Sequence, residues 1–324
     1  MTKKITSIVL AAGKGSRMKS DLPKPLHRIA GKPIISHIID KLTDCGIDEV
    51  IVVVNKQSDL LKSYVAKNYP QIQTVTQREQ KGTGDAVKSV FDKKDLSNSD
   101  GVIVVFGDTP LLKKTTIENL KEASLNNDLS ILAFSTPNPK GYGRIILKDN
   151  NLHSIVEEAD TTEESKNITL CNGGVMAFKN KNLKHLLGLL DNNNSKEEFI
   201  LSDMVEIVNS NGGTSNYIEC NELESFGIDT KKGLAKAEKE FQKELREKFM
   251  AEGVTILDPD SVFFQNDTII ENNVEIQNNV YIGRNVHIKE GVTVRSFSYI
   301  EDSVIHENAT IGPFSRLRNN VSVG

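Results

Sequence analysis

The residues best placed to do chemistry lie near the start of the chain, in Leu10-Ala11-Ala12-Gly13-Lys14-Gly15-Ser16-Arg17-Met18 and in Leu22-Pro23-Lys24 just after it. Two glycines among small neighbours let a backbone pass close to a ligand, and N–H groups exposed there can hold phosphate oxygens. The segment is not a GxxxxGK[ST] loop. It misses the dinucleotide fingerprint GxGxxG by one position, because Met18 stands where the third glycine would be. Taken alone, such a turn is equally a tight strand-to-helix connection. The cations Arg17 and Lys24 on the same loop favour chemistry. Transfer at a polyphosphate develops negative charge on the reacting phosphoryl and on the leaving group, and fixed cations there lower the barrier. A third group, Asp108, ends the apolar run 102–107. A carboxylate at the C-terminal end of a buried parallel strand lies where α/β folds bind ligands, and it is a hard oxygen donor suited to Mg²⁺. The six histidines are scattered and form no cluster.

These groups need a scaffold, and the pattern of the chain supplies one. Over residues 1–228, short β-branched runs at 5–12, 49–55, 72–77, 101–107 and 129–135 alternate with amphipathic stretches at 33–45, 59–67, 83–91 and 116–124. Strand then helix, repeated, predicts a mostly parallel sheet with helices on both faces. The nearly continuous apolar character of 51–54 and 102–105 fits strands buried on both sides. Residues 231–250, rich in Ala, Glu, Lys and Leu, read as one long, highly charged helix lying on the surface as a connector.

From residue 262 the period changes. Ile270, Ile276, Ile282, Ile288, Val294 and Ile300 recur every six residues, and after a one-residue slip the series resumes at Ile305, Ile311, Leu317 and Val323. Val274, Val280, Val286 and Val292 form a second set at the same step. A six-residue repeat puts no continuous face on a 3.6-residue helix and marks a parallel β-helix, one unit to a side and three to a coil. Gly324 falls inside this pattern without a cap, so the chain reads as truncated.

Composition excludes several classes. Forty basic and 44 acidic residues leave a net charge of −4, with no footprint for nucleic acid or an anionic membrane. No apolar run approaches the ~20 residues that span a bilayer. The run 5–12 is short, contains Thr6 and Ser7, and fits a first strand better than a signal peptide. Cys45, Cys171 and Cys220 are odd in number and widely spaced, which points to reduced thiols and a cytoplasmic protein.

LAAGKGSRM with LPK is similar to the signature of sugar-phosphate nucleotidyltransferases, and the hexapeptide repeats narrow the likeness. From residue 5 to its last residue the chain resembles the bacterial bifunctional N-acetylglucosamine-1-phosphate uridyltransferase / glucosamine-1-phosphate acetyltransferase family. The resemblance implies a Rossmann-like nucleotidyltransferase domain at 1–228, a connector helix at 229–250 and a partial left-handed β-helix at 251–324. It implies a Mg²⁺-dependent reaction of UTP with N-acetylglucosamine 1-phosphate that serves cell-envelope synthesis, and a homotrimer through the β-helix. Leu10, Ala11, Ala12 and Gly13 would contact the uridine and Gly15 the phosphates. Arg17 would bind the leaving pyrophosphate and Lys24 the α-phosphate.

The stretch 77–84, QREQKGTG, matches the family's uracil-reading segment, with Gln77, Gln80, Gly82 and Thr83 as contacts. A glutamine amide donates and accepts at once, which suits a pyrimidine edge. Asp85 stands where the family often has histidine, and reads as a structural acid at a helix start. Phe106 replaces a common tyrosine and keeps only the ring. The metal ligands would be Asp108, in Gly107-Asp108-Thr109-Pro110, and Asp229, where the family has asparagine. The extra charge of Asp229 points to tighter metal binding or to a changed rate or metal preference, while the same residue also fits an N-cap for the helix near 231. Glu157, Asn172 and the backbone at Gly143, in Gly141-Tyr142-Gly143-Arg144, would hold the sugar. Arg318 matches a first residue of the acetyltransferase site, most of which would come after residue 324, so no acetyl transfer is expected. The competing readings are another nucleotide and sugar phosphate pair on the same fold, a non-catalytic nucleotide-binding scaffold, and a dinucleotide oxidoreductase.

Overall fold

The computed structural model describes residues 3–195 and 197–324. The chain forms two compact units, one of residues up to Leu26 together with Ile34–Thr230, the other of His27–Pro33 with Lys231–Gly324. Among the described residues, the first unit is built on a nine-stranded sheet. Its strands are β1 (Ile5–Leu10), β2 (Glu49–Asn55), β3 (Gln73–Gln77), β4 (Gly101–Phe106), β5 (Leu129–Ser135), β6 (Arg144–Lys148), β7 (Asn151–Val156), β8 (Leu170–Lys179) and β9 (Ser215–Glu219). The order across the sheet is β9-β5-β8-β4-β1-β2-β3, with the hairpin β6–β7 attached to β8. Strands β4, β1, β2 and β3 run parallel, in the alternation that the sequence predicts. The helices of this alternation are α1 (Ile34–Asp44), α2 (Asp59–Asn68), α3 (Thr83–Phe91) and α4 (Lys114–Asn126).

The central strands read as continuous apolar runs because both faces are covered. Ile8, Leu10, Ile51, Val53, Val102 and Val104 pack into one core, and Ile5, Val9, Val52, Val54, Ile103 and Val105 into another. The sequence pattern does not disclose β8, which runs antiparallel between β4 and β5 and shifts register between Asn172 and Met176. After the shift, Met176–Phe178 pair on both edges, whereas before it Leu170–Asn172 pair with β5, and Cys171 with Arg144 of β6, and leave β4.

In the second unit a helix, α5 (Lys231–Ala251), is charged but not a bare connector. It buries Ala237, Phe241, Gln242, Arg246 and Phe249 along one side. The Gln242 side chain donates to the Phe264 carbonyl (2.6 Å) and accepts from the Phe264 N–H (2.9 Å), capping the first coil of the repeat region. The repeats form three parallel sheets. Ile270 pairs with Ile288, which pairs in turn with Ile305, which pairs with Val323. The one-residue slip therefore shortens a coil without disturbing the stack. Val274, Val280, Val286 and Val292 are buried beside them. Corners fall at Asn273, Asn279 and Asn285, all left-handed (φ 59°, 56° and 52°), a conformation asparagine tolerates better than most residues.

Candidate active site

The first unit carries a cleft of about 870 Å³ at the C-terminal ends of β1 and β4. These strands are neighbours in register, Leu10 opposite Phe106, so the glycine turn after one and Asp108 after the other emerge side by side. Gly107 donates its N–H to the Leu10 carbonyl (2.9 Å). A Cβ on Gly107 would meet the Ala11 Cβ at 3.2 Å, so a larger residue there would push the two loops apart. Gly15 is left-handed (φ 62°), and a Cβ there would meet the Lys24 Cβ at 2.9 Å. Glycine thus lets the turn fold back and bring Lys24 under it.

Lys24 is the centre of the charged end. Its Nζ donates to Asp108 Oδ2 and to Asp229 Oδ1, the latter at 2.9 Å. The Arg17 guanidinium reaches Asp229 Oδ2 at 3.0 Å while remaining mostly exposed. The Asp108 carbonyl accepts from the Ile228 N–H (3.0 Å), which fixes the spacing of the two carboxylate loops. Desolvation works against the Lys24 ammonium, but Asp108 and Asp229 outweigh it and hold its pKa above the ordinary lysine value. Burial raises the Asp108 carboxyl, with Lys24 pulling it back only in part. Both carboxylate oxygens of Asp229 face cations.

Asp108 and Asp229 also suit a hard dication. Two carboxylates converge on one positive centre, the arrangement in which Mg²⁺ takes one or two protein oxygens and completes its shell with phosphate and water. Among the described residues no group of three or more His, Cys, Asp or Glu could hold a metal, so water or substrate oxygens would complete the shell around these two carboxylates.

At one flank, Asn55 Nδ2 (3.0 Å) and Gln80 Nε2 both donate to the Ala12 carbonyl and pin the turn. Gln77 is 3% exposed. Its Nε2 donates to the Gly82 carbonyl (3.1 Å) and to Asp85 Oδ2 (2.7 Å). Gly82 takes φ 109°, and a Cβ there would strike the Phe199 carbonyl at 2.4 Å. Thr83 accepts at Oγ1 from the Leu201 N–H (2.9 Å).

The opposite flank comes from β8 and the loop before β6. Asn172 Oδ1 accepts from the Gly174 N–H (2.9 Å), and its own N–H donates to the Gly143 carbonyl (2.8 Å). The buried Arg144 guanidinium donates to the Tyr142 carbonyl and pairs with Glu158 (2.6 Å), which accepts from the Gly141 N–H (3.0 Å). One cation thus ties down both ends of the loop that lines the cleft.

Leu10, Ala11, Ala12, Gly13, Gly15, Arg17, Lys24, Gln77, Gln80, Gly82, Thr83, Asp108, Asn172 and Asp229 all line this cleft. Gly143 and Glu157 do not. They lie beside Asn172: a Cβ on Gly143 would stand 3.5 Å from Glu157 Oε1 and 3.6 Å from the Asn172 Cβ, and Glu157 accepts from Ser202 Oγ (2.7 Å). The cleft also takes in Lys140, Tyr142, Glu198 and Ser225, which the sequence reading did not single out. Lys140 and Tyr142 adjoin or belong to the GYGR turn and could have been found from it. Glu198 and Ser225 carry no local signal. Asp85 does begin a helix, as expected of an acid, but it also holds the Gln77 amide, a partnership its position in the sequence does not announce.

Two family models match the chain: the MobA-like NTP transferase domain over residues 7–186, and the bacterial transferase hexapeptide (six repeats) over residues 265–301. Among curated relatives, the bifunctional protein GlmU of Sinorhizobium fredii is 37% identical over 328 residues, covering 100% of this chain and 71% of its own length. The GlmU proteins of Brucella anthropi (39% identical; 94% of this chain, 67% of the relative) and Bartonella bacilliformis (39%; 98% and 71%) are similar to the same degree. A solved structure of HddC from Yersinia pseudotuberculosis complexed with GMP-PN superposes with a TM-score of 0.54 at 21% identity, covering 73% of this chain and 99% of that one, which shows a common fold. No helix among the described residues is long and apolar enough to cross a membrane.

Proposed function

The chain belongs to the family of bifunctional GlmU proteins, and from that premise we propose that its first unit is a UDP-N-acetylglucosamine diphosphorylase. It converts UTP and N-acetyl-α-D-glucosamine 1-phosphate to UDP-N-acetylglucosamine and diphosphate. The observation that carries this reading is the Lys24 ammonium, set between Asp108 and Asp229 at the mouth of the glycine turn with Arg17 beside it. A scaffold has no use for such a concentration of half-buried charge.

The nucleotide lies along Leu10–Gly13, with its phosphates at Gly15 and its base toward Gln77, Gln80, Gly82 and Thr83. A phosphate oxygen of the sugar phosphate forms a bond to the α-phosphorus in line, the bond from that phosphorus to the bridging oxygen breaks, and diphosphate leaves with the electron pair. Lys24 stabilises the crowded α-phosphoryl group and Arg17 the departing diphosphate. Asp108 and Asp229 would hold Mg²⁺, which when bound neutralises charge on the reacting phosphates. The attacking oxygen is already an anion near neutral pH, so no general base is required, and among the described residues no histidine lines the cleft. Asn172, with Gly143 and Glu157 beside it, orients the sugar.

The reading includes a cytoplasmic location and a homotrimer through the β-helix. The trimer is supported by apolar side chains left exposed there, Ile269 (57%), Phe297 (53%) and Phe314 (77%), and it predicts a mass of three chains by light scattering, which a monomer would contradict.

The test of function is diphosphate release with Mg²⁺ across a grid of nucleoside triphosphates and sugar 1-phosphates. Turnover with UTP and N-acetylglucosamine 1-phosphate alone is the expected result. A different productive pair would keep the mechanism and discard the substrates. Silence across the grid from folded protein would favour the scaffold.

A further inference from the structure

The Gln77 amide has two hydrogens, and both are spent inside the protein, on the Gly82 carbonyl (3.1 Å) and on Asp85 Oδ2 (2.7 Å). A carboxylate and a backbone carbonyl can only accept. Turning the amide over would aim the Gln77 oxygen at two acceptors, so its orientation is settled by its surroundings. What remains for the cleft is Oε1, a lone acceptor on a side chain that is 3% exposed and lines the cleft wall. Asp85 itself does not line the cleft. It sits in the first turn of α3 and accepts from the Gln77 amide.

A fixed acceptor chooses between pyrimidines. Uracil carries an N–H at N3, which pairs with it. Cytosine carries a lone pair at N3, so the same contact sets acceptor against acceptor and leaves a nearly buried polar atom unpaired. Sites built around a hydrogen bond reject analogues that cannot make it far more strongly than apolar pockets do.

We propose that Asp85 is a positioning residue for nucleotide choice, holding the Gln77 amide so that only its carbonyl oxygen meets the base and a uracil nucleotide is taken over a cytosine nucleotide. This rests on the reading that Gln77 faces the base.

The test compares kcat/KM for UTP and for CTP, with N-acetylglucosamine 1-phosphate, in the full chain and in Asp85→Asn and Asp85→Lys. Asparagine removes one of the two acceptors that oppose the turned-over amide and lysine puts a pure donor in its place, while the Gly82 carbonyl still opposes it in both. The UTP-to-CTP ratio should fall by about tenfold in D85N and further in D85K, mainly through loss with UTP and gain with CTP. The KM for the sugar phosphate should hold in both. Equal loss with both triphosphates in the two variants would reduce Asp85 to a structural helix acid and overturn the inference. An unchanged ratio in variants that melt like the wild type would overturn it as well. A wild type that uses UTP no better than CTP would overturn both the inference and the base assignment beneath it, whereas a wild type that prefers UTP keeps that assignment whatever the variants do.

Discussion

The charged end of the cleft and the β-helix are assembled by opposite kinds of connection. In the β-helix each strand meets a partner one coil away, Ile276 against Val294 and Val294 against Ile311, so a short repeat specifies its own neighbours. In the cleft Lys24 meets a carboxylate 84 residues away and another 205 residues away. Repetition makes a structure that tolerates local change, since every layer is supported by similar layers above and below. Convergence makes a site in which each group is singular and has no understudy.

The sharpest way to break that contrast is to remove one of the singular groups. Lys24→Ala or Asp108→Ala should lower kcat by about 10²–10³, the usual cost of one preorganised charge, while the folded state persists. Circular dichroism and a steady-state assay together read this, and near-normal turnover in either variant would end the assignment of those residues. The matching change in the repeat is Ile282→Val, at a position with no exposure. Loss of one buried methylene should cost only about 0.5–1.5 kcal/mol in chemical denaturation. A cost several times larger would show that the β-helix, too, depends on irreplaceable positions.

A smaller effect probes the carboxylates beside Glu157, outside the cleft lining. Burial, then the charges of Glu157 and Glu206, push the Asp203 carboxyl up to about 6. The folded chain therefore keeps a proton that the unfolded chain has released, and stability falls as pH rises from about 4 to about 6. Asp203→Asn removes that penalty. Its melting temperature should exceed the wild type at pH 7.5 and match it near pH 4, and the same difference at both values would mean the carboxyl does not titrate as described.

Much of this molecule is legible along the chain because its signals are local. The glycine turn, Arg17 and Lys24 lie within fifteen residues of one another, and Asp108 directly follows its strand. The period of six is written into consecutive residues and survives its own slip at 300–305. The antiparallel strand β8 is less legible. Its pairing on both edges is decided by β4 and β5, and the register shift between Asn172 and Met176 has no fixed residue pattern. Gly143 shares a turn with the cleft residues Gly141 and Tyr142 yet does not itself line the cleft, since a motif gives adjacency in the chain and not direction in space.

The sequence by itself determined which chemistry is available: backbone amides for phosphate, two cations, hard oxygen donors, and a repeat that closes into coils. Residue type and short-range spacing carry all of that. Only the tertiary structure decided that Lys24 lies between Asp108 and Asp229, that Arg144 and Glu158 tie down the loop at 141–144, and that Asp85 accepts from the Gln77 amide. Hydrogen bonds and ion pairs depend on angles and distances of an ångström or less, and those arise only when parallel strands bring their ends to one edge and the loops beyond them close.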